Sequence, residues 1–284
     1  MKIKILLNGC NGRMGRMFTR VAANYGDMEV VAGMDIAELK PGDMAVPPAY
    51  PVFLTSGGGS GGGADGDADG GDASPGAALE KIKDIAIDAI VDFSHPSALS
   101  FVLELAKARS IPAVLATTGY TDAQMTQITD ASAKIPVFQT PNMSIGINLM
   151  AELIKTAATA LADGFDIELV EAHHNQKIDA PSGTALMLAN VMNEALSGDR
   201  EYVYDRHDIR AKRGKKEIGI HAIRGGTIVG EHSVIFAGND EVIEVKHTAT
   251  SREVFAEGAV RAVRFITEAG RKPGRYNMRD VIMQ

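Results

Sequence analysis

The sequence predicts an α/β fold: a doubly wound parallel sheet, followed along the chain by a second, α+β domain. Three observations predict it. Short apolar segments alternate with helical patterns from residue 3 to residue 138. A glycine-rich turn separates the first apolar segment from the first helical one. After Pro141 the rhythm changes to longer helices and longer strand-like runs.

The elements follow in order. Residues 3–7 (IKILL) read as a buried strand, and Met14 to Tyr25 as a helix. Residues 29–34 (EVVAGM) read as a second strand and 87–93 (IDAIVDF) as a third. A helix after Pro96 runs to about Arg109, because proline is at home in a first helical turn. Residues 112–116 are the fourth strand, Asp122 to Ala133 a helix, and 135–138 the fifth strand. Strands this short, separated by helices, imply βαβ units and a parallel sheet. Beyond Pro141, helices are predicted over Ile147–Leu161 and Gly183–Leu196, with a strand over 166–172 between them. The runs EIGIHAIRG, TIVGEHSVIFA and DEVIEVKHTA suggest a mixed sheet with antiparallel pairs. A last helix spans Ser251 to Glu268. The expected organisation is a dinucleotide-binding domain from 1–144 with 254–284, and a second domain from 145–253.

One stretch breaks the rhythm. Residues 57–76, rich in Gly and Asp, cannot bury enough apolar surface to offset chain entropy and read as a flexible surface insertion. Asp65, Asp67, Asp69 and Gly70 match the start of a calcium loop, but Gly76 stands where a bidentate Glu is needed. A solvated linker is the expected reading, and no metal is expected.

Composition narrows the partners. The 284 residues are 45% apolar, enough for a sizeable core, and carry a net charge of −7. Four aspartates between Ser56 and Ala78 supply more than half of that charge, so the remainder is nearly balanced. Such a balance offers no general attraction to nucleic acid or to an anionic membrane. No run approaches the ~20 apolar residues of a membrane helix. The first apolar run is too short for a signal segment, and one cysteine, Cys10, permits no internal disulfide. A cytoplasmic protein is expected.

The turn after the first strand reads Gly9-Cys10-Asn11-Gly12-Arg13-Met14-Gly15, a variant of the dinucleotide fingerprint in its proper strand-to-helix context. Glycines let backbone N–H groups approach a pyrophosphate, and the helix start favours its charge. Asp35, at the end of the second strand, is placed to meet adenosine ribose hydroxyls. Ile36 and Ala37 follow it rather than a cation, which leans toward the unphosphorylated cofactor; Arg13 and Arg16 keep a 2′-phosphate open. Cys10 is expected to pack rather than react. Two further loops fall at carboxyl ends of strands: Ala116-Thr117-Thr118 and Thr140-Pro141-Asn142-Met143. Their small and polar residues suit a nicotinamide and its ribose, though ordinary turns use the same residues.

The chemistry is expected in residues 171–185, EAHHNQKIDAPSGTA. The strand ends near Ala172 and the next helix starts near Ser182, an N-cap candidate. The amides of Gly183 and Thr184 then open toward a carboxylate, with Lys177 and a histidine beside it. Histidine with lysine also moves protons near neutral pH. His95, His207 and His232 are expected to be structural or exposed.

This segment resembles the signature of the 4-hydroxy-tetrahydrodipicolinate reductase (dihydrodipicolinate reductase) family of lysine biosynthesis. GCNGRMG, VDFSHP, ATTGY, PNMSIGIN, IRGGTIVGEHSV and NMRDVI extend the likeness over nearly the whole chain. The resemblance implies a Rossmann-type cofactor domain, an α+β domain that binds substrate and builds a homotetramer, and NADH or NADPH as hydride donor. It implies His173 as proton donor and acceptor, Lys177 as a second proton donor, and His174, Gly183 and Thr184 as substrate contacts. Gly9 to Met14, Asp35, 116–118 and 140–143 match its cofactor contacts. The 57–76 insertion is foreign to the family pattern, and Ala116 replaces a frequent glycine. Another nicotinamide-dependent amino-acid dehydrogenase, or a non-catalytic dinucleotide sensor, are the competing readings.

Overall fold

A computed structural model describes residues 1–38, 48–55, 75–161, 164–208 and 210–284. The calcium-loop match and most of the 57–76 insertion lie outside the described residues. The described chain forms two compact units: Met1–Met143 with Phe255–Gln284, and Ser144–Val254.

The first unit is a seven-stranded parallel sheet. It contains β1 (Ile3–Asn8), β2 (Met28–Asp35), β3 (Val52–Leu54), β4 (Ala89–Asp92), β5 (Ala113–Leu115), β6 (Pro136–Gln139) and, much later in the chain, β12 (Gly274–Tyr276). The spatial order β12-β6-β5-β4-β1-β2-β3 reverses direction beside β1. Ligands of open α/β sheets bind at that reversal, outside the carboxyl ends of the strands. The central strands are largely buried, which is why IKILL and AIVD read as mainly apolar runs. The helices are α1 (Arg13–Ala23), α2 (Pro75–Lys81), α3 (Leu99–Arg109), α4 (Asp122–Ser132), α7 (Glu253–Ile266) and α8 (Met278–Ile282). Leu6, Ile90, Leu103, Leu115, Ile128 and Val137 join one core.

The elements not anticipated are the short ones. Apart from β5, which reads as an apolar run, strands of three residues carry no readable signal. A five-residue helix buries too little to show a stripe, although its capping box of Asn277 and Asp280 was there to read. The helix after Pro96 begins with a 3-10 turn over Pro96–Ala98 and stops at Ser110, whose φ is 53°.

The second unit is a five-stranded mixed sheet in the order β11-β10-β7-β9-β8, built from β7 (Asp166–His173), β8 (Glu201–Val203), β9 (Glu217–Arg224), β10 (Gly230–Ala237) and β11 (Val242–Ala249). β7 pairs parallel with β9 and antiparallel with β10. One face is covered by α5 (Ile145–Leu161) and α6 (Gly183–Ala195), with Ile154, Leu169, Leu188, Ile220, Val234 and Phe236 between them.

Candidate active site

Side chains alternate along a strand, so Ile167, Leu169, Glu171 and His173 of β7 share the helix-covered face. The first two are core. The last two are polar, and strand register surrounds them with more polar groups. Arg224 on β9 lies opposite His173. His232 on β10 lies opposite Glu171, and His247 on β11 lies opposite His232.

Glu171 is fully buried and fully used. Arg224 donates to both oxygens, at 2.8 and 2.7 Å. The Ser182 amide donates to Oε1 at 3.0 Å, and Nδ1 of His173 lies 2.6 Å from Oε2. Burial pushes the Glu171 carboxyl up, but the hydrogen bonds from Arg224 and His173 outweigh it and hold it below its ordinary range. As Glu171 is ionised it only accepts, so Nδ1 of His173 carries the proton. Burial lowers the His173 pKa, assisted by Lys177 and Arg224 and opposed by Glu171.

Ser182 is the junction of this cluster. Its side chain caps α6 by accepting from the Ala185 amide at 3.1 Å, and lies 3.1 Å from Nε2 of His232. The His232 and His173 rings meet edge to face at 5.2 Å. Burial, with His173 adjacent, pushes the His232 pKa down to about 4.

The loop from His174 to Pro181 carries the remaining groups. It is pinned where the Asn175 amide donates to the Gly226 carbonyl and the Gly225 amide donates to that of His173. Lys177 Nζ lies 2.9 Å from Asp179 Oδ1. The Gly183 amide also donates to Asp179, and with Lys177 lowers its pKa. A carboxylate therefore already rests on the lysine and on the start of α6. Arg252 approaches Nε2 of His174 at 3.3 Å and adds a second cation to this end. Thr184 is half-buried in the first turn of α6. Among the described residues, no cluster of His, Cys, Asp or Glu is arranged to hold a metal.

His173, His174, Lys177, Gly183 and Thr184 thus lie on one strand end, its loop and one helix start. Sequence reading missed Glu171 as a site residue, along with Arg224, His232 and Arg252. Glu171 was within reach, since two residues before His173 on a strand means the same face. The other three are distant in sequence and only register or packing brings them in. His232, expected to be structural or exposed, is buried and packs against the ring of His173. His95 caps the 3-10 turn and His207 is exposed.

In the first unit two of the fingerprint glycines, Gly9 and Gly15, are sterically required. Gly9 has a φ of +77°, and a Cβ there would lie 2.6 Å from the Phe93 carbonyl oxygen. A Cβ on Gly15 would lie 2.1 Å from the Gly9 oxygen. Gly12 caps α1 without a side-chain acceptor, and Arg13 and Met14 form the first turn behind it. Such a helix start suits a pyrophosphate. Asp35 accepts from the amides of Asn11, Ile36 and Ala37. Cys10 packs against Gly33, and burial with Asp35 nearby pushes its thiol up to about 12, so it stays protonated at neutral pH.

At the carboxyl ends of β1, β4 and β5, Asp92 is completely buried, and among the described residues no cation pairs with it. It accepts from Asn8 at 2.8 Å, from Ser94 at 2.5 Å and from Thr117 at 2.8 Å. Burial raises its pKa against these bonds. Thr117 is thereby locked into the turn between half-buried Ala116 and exposed Thr118. In the last loop Thr140 donates to the Asn142 carbonyl at 3.0 Å, Pro141 is exposed, and buried Met143 abuts Gly258.

Residues 3–47 and 69–143 match the family profile described as dihydrodipicolinate reductase, N-terminus, and residues 146–282 the profile described as its C-terminus. The break at 48–68 overlaps the Gly/Asp insertion. A 4-hydroxy-tetrahydrodipicolinate reductase of Caldanaerobacter subterraneus subsp. tengcongensis is 43% identical over 282 residues, 99% of each chain. One from Clostridium novyi is 43% identical over 281 residues, 98% of each. Among solved structures, the dipicolinate-bound dihydrodipicolinate reductase of Paenisporosarcina sp. TG-14 superposes with a TM-score of 0.75, at 24% identity and 98% coverage of both chains, a likeness of fold.

Proposed function

The chain belongs to the dihydrodipicolinate reductase family, and we propose that it reduces 4-hydroxy-tetrahydrodipicolinate to tetrahydrodipicolinate, with loss of water, on the diaminopimelate route to lysine. One observation carries the site assignment: Lys177 and the Gly183 amide already hold the carboxylate of Asp179. A substrate carboxylate presents the same two oxygens to the same donors.

The substrate is a cyclic imine bearing two carboxylates. His174, Lys177, Gly183 and Thr184 bind and orient one of them, with Arg252 adding charge beside His174. Reduction at carbon leaves an enamine-like ring that needs a proton. Lys177 is the ammonium group placed to deliver it, and it stabilises the charge that accumulates beforehand, with His173 beside it. Glu171, Arg224 and Ser182 fix the cluster.

The nicotinamide cofactor supplies the hydride. The residues present fit it: Gly9, Gly12 and Gly15 leave no side chain in the turn, and α1 opens with uncapped amides. Cys10, Asn11, Arg13 and Met14 complete that cradle, and Thr117, Thr118, Ala116 and the 140–143 loop receive the nicotinamide half. Asp35 favours free ribose hydroxyls over a 2′-phosphate, so NADH binds more tightly than NADPH. Calorimetric titration of both cofactors tests this; tighter NADPH binding contradicts it.

The chain acts as a cytoplasmic homotetramer on a small molecule, with neither nucleic acid nor membrane as partner. Among the described residues no helix is long and apolar enough to cross a membrane. The sheet face of the second unit turned away from α5 and α6 leaves Ile223 and Val242 exposed, at 51% and 64%, which supports assembly through it. Light scattering that returns a monomer mass would contradict the assembly. The reduction is tested by cofactor oxidation on addition of freshly prepared substrate.

A further inference from the structure

We propose that Glu171 and Arg224 are positioning residues for the reduction: Glu171 fixes the Nδ1–H form of His173, leaving Nε2 as the acceptor, and Arg224 offsets the charge of Glu171. The proposal rests on the reductase reading for its catalytic consequence, but its geometry stands alone.

A carboxylate 2.6 Å from an imidazole nitrogen does two things. It sets the tautomer, and unopposed it favours the imidazolium. Here it is opposed. Arg224 grips both oxygens of Glu171, and the Ser182 amide takes a further lone pair. The groups facing His173 are Glu171 on its own strand, Arg224 on β9, His232 on β10 and Lys177 from the loop. Asp179 partners Lys177, and His247 lies beyond His232. Three of the four direct neighbours are cationic or aromatic bases, and the one anion is neutralised by Arg224. Burial of the ring, assisted by Lys177 and Arg224, outweighs Glu171, so the ring stays neutral with its pKa below the ordinary value. A neutral Nδ1–H imidazole has no proton to give from Nε2. The donor to the reduced ring is then Lys177, and Nε2 of His173 is left as an acceptor.

The two charges act on His173 with opposite sign, and this makes the proposal testable. The experiment is a pH titration of the full chain carrying ring-labelled histidine, followed by nuclear magnetic resonance, with a His173→Gln variant to assign the signal. Glu171→Gln removes the anion, so the His173 midpoint should fall by at least about half a unit. Arg224→Gln exposes the anion, so the midpoint should rise by a similar amount, about half a unit or more. Arg224→Lys keeps the charge and should restore the midpoint, and it serves if Arg224→Gln does not fold. In steady state, Glu171→Gln should lower kcat about ten- to hundredfold with substrate KM within about threefold. Shifts of the same sign in both charge-removing variants, an unmoved midpoint, or an Nε2–H form in the wild type would overturn the proposal. Opposite shifts in an enzyme without turnover would keep the pair and overturn the reductase reading instead.

Discussion

His173 and Glu171 are alternate residues of one strand, and their side chains are joined by a 2.6 Å hydrogen bond on the face that also carries the core. An apolar stripe of Ile167 and Leu169 thus becomes a charged one without a change of backbone. The same packing that buries the leucine immobilises the carboxylate, so the histidine is aimed by the fold and not by a loop.

Lys177 separates the two units chemically, because it lies in Ser144–Val254 while the glycine turn lies in the other unit. Lys177→Ala should lower kcat about 10²- to 10⁴-fold, as expected for loss of a proton donor. NADH affinity should change less than about twofold. A matching loss of NADH affinity would assign the lysine to the cofactor.

His232 makes the second unit acid-sensitive. Its folded pKa of about 4 lies below the ordinary 6.5, so the unfolded chain binds more protons between those values. Stability is fully present above pH 6.5 and falls as the pH drops toward 4. The loss should be about 3 kcal/mol for this group. Urea unfolding from pH 7 to pH 4 should show the slope flattened in His232→Gln; an unchanged slope refutes it.

Among the described residues, the partners of Asp92 are the donors Asn8, Ser94 and Thr117. Asp92→Asn turns one acceptor oxygen into a donor against Asn8, Ser94 or Thr117, at a cost of about 1–3 kcal/mol. Thr117 is then released, and NADH affinity should fall severalfold. Calorimetry paired with thermal unfolding checks both; lower stability with unchanged affinity would remove the 116–118 turn from the cofactor site.

Gly15→Ala places a methyl 2.1 Å from the Gly9 oxygen. The start of α1 must shift by more than a flexible side chain would allow. NADH affinity should fall at least tenfold, roughly 1.4 kcal/mol, with the fold retained. Unchanged affinity would show that this turn does not hold the pyrophosphate.

Much of this was legible in the sequence, for identifiable reasons. Largely buried central strands announce themselves as mainly apolar runs, so β1, β4 and β6 were readable within two residues. The three-residue strands β3, β8 and β12 are fixed by neighbours and carry no local signal. The segment proposed to carry the chemistry was legible as a strand end, loop and helix cap because the three are contiguous there. Arg224, Arg252 and His232 were not, since β-sheet register and packing, not spacing along the chain, bring them to His173 and His174. Asp92 was quoted within a motif but looked like an ordinary strand end; its complete burial is a tertiary fact.

The most direct measurement is cofactor oxidation by the purified chain given freshly prepared 4-hydroxy-tetrahydrodipicolinate. Oxidation that depends on the substrate, is competitively inhibited by dipicolinate, and is nearly abolished in Lys177→Ala is the predicted result. No oxidation of either NADH or NADPH, by a folded chain that binds them, would contradict the account.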